Sequence, residues 1–166
     1  IVTDKNQLTV KLIDFGMLEE LNDSKKKIYP GGTPQYASEE VLKITNKVKL
    51  INYTDLKIYK KCDVFSFGIL MYELFRYTDI RGTSYWSGSQ LNYEQLNTAT
   101  FEEIPKDFKL YVPLLQLCVK TEPSQRPDMK QIVTIFSLSE KDRTKENITA
   151  ILGDLMKHLD VNRANL

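Results

Sequence analysis

The stretch KCDVFSFGILMYELFR, residues 61–76, decides how the rest of the chain is read. As a helix it carries apolar residues on nearly every face, with no polar side to turn to water. That pattern predicts a central helix packed on all sides, with the rest of the domain assembled around it. C-terminal to it, residues 77–107 hold turn residues and scattered aromatics, with a short helix expected near Tyr93 to Leu96. LYVPLLQLCVK (110–120) and DMKQIVTIF (128–136) predict two further helices. Between them TEPSQRP (121–127) holds two prolines and a serine, which impose a stiff turn.

The last thirty residues predict a helix of their own. Ile148, Ile151, Leu152, Leu155, Met156 and Leu159 recur at helical spacing and share one face, which predicts packing onto the domain. Gly153 costs such a helix about 1 kcal/mol relative to Ala, so it needs that packing to persist. His158 offers a favourable charge to its C-terminal end. N-terminal to residue 61, residues 43–60 read as a loop rich in Lys, Asn and Tyr, and Ser38 to Leu42 as a short helix. Residues 17–36 form a long polar connection ending on Pro30-Gly31-Gly32. Ile1-Val2 and Leu8 to Ile13 read as two short strands joined by a turn. The fold class expected is mainly α with a short N-terminal β-hairpin.

A chain of 166 residues makes one domain or part of a larger one. With 23 basic and 22 acidic residues the net charge is +1, which gives no electrostatic case for nucleic acid or an anionic membrane. The run Lys25-Lys26-Lys27 reads as a solvated loop. Cys62 and Cys118 make no disulfide framework and lack metal-ligand spacing, so a reducing, cytoplasmic setting is expected. The longest apolar run, Val64 to Leu70, is far below a membrane span. The chain opens without a methionine and directly on strand-like residues, which reads as a piece of something longer.

The chemistry is concentrated in TVKLIDFGMLEE, residues 9–20, a strand that breaks at Asp14-Phe15-Gly16. A carboxylate at a strand end can reach into a cleft and coordinate a hard cation such as Mg²⁺. The glycine allows a turn other residues resist, and Phe15 can anchor it in a core. GTPQYASEEVL (32–42) follows, then DVFSFGILMYELF from Asp63, then Arg126-Pro127. In that order and spacing these motifs resemble the C-terminal half of a eukaryotic protein kinase domain. The resemblance covers residues 1–136 and leaves 137–166 as a separate C-terminal helical tail.

The resemblance implies a kinase C-terminal lobe and a role for each motif residue. Asp14 matches the aspartate that holds Mg²⁺ on the ATP phosphates, with Phe15 and Gly16 beside it in the nucleotide site. Thr33 matches the threonine that bonds into the catalytic loop, and Gly32-Thr33-Pro34 favours Ser/Thr over Tyr specificity. Glu40 matches a glutamate that pairs with the arginine found here as Arg126, locking the activation segment onto the helical core. Asp63 matches a buried aspartate that satisfies catalytic-loop backbone N–H groups. Residues between Gly16 and Gly32 become the activation segment, with Ser24 and Tyr29 as candidate phosphosites. Two positions depart from the family pattern: Glu39 stands for a proline and Phe65 for a tryptophan.

The chain has no Gly-rich loop, no phosphate-binding strand lysine with its helix glutamate, and no H-R-D-x-x-x-x-N. It is therefore expected to be inactive alone, as part of a kinase moving the γ-phosphoryl group of ATP to Ser/Thr hydroxyls of protein substrates. A pseudokinase or scaffold that binds partners without catalysis is the alternative.

Overall fold

The computed structural model describes residues 2–4, 7–9, 32–45 and 56–164. An antiparallel hairpin, β1 (Val2–Asp4) and β2 (Gln7–Thr9), pairs Val2 with Thr9 and Asp4 with Gln7. The described remainder is mostly helical: α1 (Glu39–Thr45), α2 (Leu56–Arg76), α3 (Tyr93–Asn97), α4 (Val112–Cys118), α5 (Met129–Phe136) and α6 (Lys145–Ala164). A second hairpin, β3 (Trp86–Ser87) and β4 (Gln90–Leu91), lies between α2 and α3. No helix among the described residues is long and apolar enough to cross a membrane.

Several boundaries differ from the sequence reading, each for a local reason. Residues 43–60 are not all loop: α1 runs on to Thr45 and α2 begins at Leu56. Leu56 to Lys60 holds no Gly or Pro, so nothing stops the helix from extending over it. The helix expected over 110–120 is split. Lys106–Tyr111 forms a tighter 3₁₀ segment, and the α-helix starts at Val112 with Pro113 in its first turn, where the missing N–H costs nothing. The hairpin β3–β4 escaped a reading by periodicity because its strands are two residues long. Its turn depends on Gly88 at φ +64°, a conformation glycine adopts without penalty.

The core is a single buried cluster centred on α2. Val64, Phe65, Ile69, Met71 and Tyr72 of α2 meet Leu114, Leu115 and Cys118 of α4 and Ile132 and Ile135 of α5. Ile148, Leu152, Leu155 and Leu159 of α6 join the same cluster, so the tail shares the core of the domain. Helices α2 and α4 approach closely at Gly68. A Cβ there would lie 2.8 Å from Cys118 Cβ and 2.9 Å from Val119 Cγ1, closer than atoms pack.

The expectation that α2 is covered on all sides is overturned. Asp63, Phe67, Leu70 and Leu74 follow one another at helical spacing along one stripe, and Asp63, Leu70 and Leu74 are exposed, Leu74 at 60%. Val133 and Phe136 of α5 extend this apolar surface, and the Phe67 and Phe136 rings meet edge to face at 6.2 Å. An all-round apolar helix is complete only when every face is covered, and on this face Leu70 and Leu74 are left exposed among the described residues.

Candidate kinase site

A different stripe of α2 carries the polar contacts. Cys62, Ser66 and Glu73 stand four and seven residues apart, so they align on one face. That face receives the segment 32–40. The segment turns at Thr33–Tyr36, where the Tyr36 amide donates to the Thr33 carbonyl at 3.0 Å. Ser66 Oγ then donates to the Tyr36 carbonyl at 2.8 Å, and the Tyr36 hydroxyl donates to Glu73 Oε2 at 2.7 Å. Glu73 uses its other oxygen to accept from the Ile80 amide at 2.8 Å. Burial, reinforced by Glu73, pushes the Tyr36 hydroxyl above its usual range. From α3, the Tyr93 hydroxyl donates to the Ala37 carbonyl at 2.7 Å. None of these clamps stood out in the sequence, although the spacing of Ser66 and Glu73 on an otherwise apolar helix is their signal.

The segment ends in α1, where Glu39 and Glu40 occupy the first turn and favour its positive end. Glu39 also pairs with Lys43 at 2.9 Å one turn on, which holds the helix start without a proline. Glu40 meets Arg126, a side chain with no exposed surface. Every N–H of the guanidinium has an acceptor. Nη1 reaches Glu40 Oε1 at 2.5 Å and the Lys61 carbonyl at 2.9 Å, while Nη2 reaches Glu40 Oε2 and the Thr121 carbonyl, both at 3.0 Å. Nε donates to the Lys120 carbonyl at 2.6 Å. The guanidinium also lies 5.0 Å from the centre of the Phe65 ring. A buried charge survives only when paired and fully hydrogen-bonded, and Arg126 meets both conditions.

Two neighbours complete this cluster. Lys61 Nζ donates to the Arg126 carbonyl at 2.7 Å and pairs with Asp128 at 2.6 Å. The Cys62 thiol donates to Glu40 Oε1 at 3.2 Å, and burial pushes it up to about 12, so it stays a neutral donor. Burial alone would raise the Glu40 carboxyl, but the hydrogen bonds and charge of Arg126 outweigh it and hold the carboxyl below its ordinary value.

The remaining expected residues stand apart from this cluster. Thr33 is exposed, and its hydroxyl makes no hydrogen bond among the described residues. Asp63 is not the buried, satisfied carboxylate expected of it: the residue is exposed and its side chain has no hydrogen bond to a described residue. Partial burial against its neighbours still raises its carboxyl, because no donor among the described residues offsets the lost hydration. Asp14, Phe15, Gly16, Ser24 and Tyr29 lie outside the described residues.

A family model for protein tyrosine and serine/threonine kinases matches residues 1–136. The chain belongs to this kinase family. A mitogen-activated protein kinase kinase kinase 7-like protein of Drosophila melanogaster is 27% identical, over 91% of this chain and 35% of its own length. A protein kinase of Dictyostelium discoideum is 28% identical, over 95% of this chain and 16% of its own length. A dual specificity mitogen-activated protein kinase kinase of Caenorhabditis elegans is 29% identical, over 75% and 28% respectively. The kinase chain thus spans about a third or less of the relatives it matches. No solved structure matches it. Residues 137–166, most of them in α6, lie beyond the family match.

Proposed function

We propose that the chain is the C-terminal lobe of an ATP-dependent, cytoplasmic protein kinase that phosphorylates Ser/Thr hydroxyls of protein substrates. The observation that supports this reading most is the buried Glu40–Arg126 pair, which fastens the end of the segment 32–40 to the helical core. Phosphoryl transfer relies on positioning more than on covalent chemistry by the protein, so a rigid anchor at the end of an activation segment has a direct catalytic use. On this reading the residues between Gly16 and Gly32 are the activation segment, Ser24 and Tyr29 its phosphosites, and Thr33 a contact to the catalytic loop. Asp63, unsatisfied among the described residues, takes backbone donors from that loop when it is present.

A hard divalent cation takes oxygen donors, and the Asp14 carboxylate is of that kind. The described residues add no cluster of acidic, His or Cys groups able to hold a metal. Asp14 would be a ligand of Mg²⁺, which when bound supplies neutralising charge on ATP, with Phe15 and Gly16 beside it in the nucleotide site. The 166-residue chain by itself carries no H-R-D-x-x-x-x-N and is proposed to be inactive.

The test is phosphotransfer from labelled Mg-ATP to a generic protein substrate, using full-length protein, its Asp14→Asn variant and the 166-residue chain. Activity in the first alone, with label on Ser and Thr, is expected. Label surviving Asp14→Asn overturns the role of Asp14, and label on Tyr alone overturns the Ser/Thr assignment. An inactive full-length protein favours the pseudokinase alternative.

A further inference from the structure

Arg126 is held by the turn that precedes it. Its backbone amide donates to the Pro123 carbonyl at 3.1 Å, while Nε and Nη2 bond back to the carbonyls of Lys120 and Thr121. The shape of residues 120–126 therefore aims the guanidinium at Glu40. The most extensive packing of α6 is on this same turn, at Pro123–Gln125. Ile148, Leu152, Leu155 and Leu159 are buried along the inner face of α6, Ile148 completely. A cleft of about 510 Å³ also borders the turn, lined by Glu39, Glu40 and Lys43 of α1 and by Glu122, Pro123 and Gln125. Glu40 lines that cleft, and its pair with Arg126 links α1 to the turn.

We propose that the tail helix α6 is a positioning element: by bracing the turn Pro123–Gln125 it holds Arg126 in line, and through Arg126 it fixes the Glu40 end of the segment 32–40. The bracing is a matter of packing and stands whatever the enzyme phosphorylates; its effect on activity rests on reading that segment as the end of the activation segment. Helix α6 begins beyond the residues matched by the kinase family model, so the brace lies outside that match. A hydrophobic face seated on a turn is a contact that can be loosened without touching the site, and the five aligned donors of Arg126 make the pair sensitive to small shifts of that turn.

The test is amide hydrogen exchange and the pH titration of the Glu40 carboxyl by NMR, on the 166-residue chain carrying Leu152→Ala. Ile104→Ala, a buried core site outside α6 and the turn, is the control. With Leu152→Ala, exchange at residues 39–45 is expected to rise about tenfold relative to residues 80–91, and loss of alignment moves the Glu40 titration up toward its ordinary 4.5. Ile104→Ala does neither. If Leu152→Ala unfolds the whole chain, the milder Leu152→Val reads the same two quantities. Unchanged exchange and titration at 39–45, or equal changes in the control, overturn the brace. No phosphotransfer is read, so failure of the kinase reading leaves either result intact.

Discussion

At the scale of single residues, the buried guanidinium of Arg126 governs the energetics. Truncating Glu40 to Ala strands a fully buried charge, and the loss is about 3–5 kcal/mol of unfolding free energy, read from urea denaturation. Arg126→Lys does not rescue it, because three donors on a point charge replace a planar fork of five. The pH dependence follows from the lowered Glu40 carboxyl. A depressed carboxyl contributes stability above the unfolded value of 4.5, and that contribution is lost as pH falls through the lower folded value. Glu40→Gln should therefore flatten the acid limb of the stability profile. The raised Asp63 carboxyl has the opposite sign: ionising it costs stability as pH rises from its unfolded value through the folded one. Asp63→Asn is accordingly neutral or stabilising in this chain. Gly68→Ala, by contrast, drives a Cβ into Cys118 and Val119 and should cost about 1–3 kcal/mol.

At the scale of elements, two helices carry correctable weaknesses. Gly153 sits inside α6, and a Cβ there meets nothing within 4 Å. Gly153→Ala should stabilise the chain by about 1 kcal/mol, seen as a higher thermal midpoint. Helix α2 ends at Arg76, and Tyr77 just beyond it takes a left-handed φ of 54° and is 85% exposed. Helices commonly end in that conformation on glycine, and an L-residue holds it at roughly 1–2 kcal/mol. Tyr77→Gly should recover part of that cost. A midpoint that falls in either variant would show that the side chain contributes a contact of its own.

At the scale of the molecule, the uncovered stripe of α2 is the main liability. Leu70, Leu74, Val133 and Phe136 are exposed on neighbouring helices, and full burial of each such side chain is worth about 1.5–3 kcal/mol. A domain has only about 5–15 kcal/mol in hand, so an uncovered face of this size weighs heavily. The 166-residue chain should bind a hydrophobic dye, and Leu74→Lys should reduce that binding without lowering its stability. In full-length protein, if further chain covers the face, the same substitution should destabilise. Equal behaviour in the two would mean the stripe stays open in both.

Much of this was legible without coordinates. The motif order carried the family, α2 carried the centre of the fold, and the apolar spacing of 148–159 carried the tail helix, because chemistry and periodicity are written locally. The faces of α2 were not legible. An all-apolar helix looks alike from every side, so only the assembled neighbours separate the stripe that holds Tyr36 and Glu40 from the stripe that stays open. Of the five acceptors of Arg126, the two Glu40 oxygens were expected from the motif order, whereas the three backbone carbonyls were hidden, since carbonyls exist at every position. What the sequence determined was which groups must be paired or buried; which backbone partners met them was decided by packing, because those partners lie as far as 65 residues away along the chain.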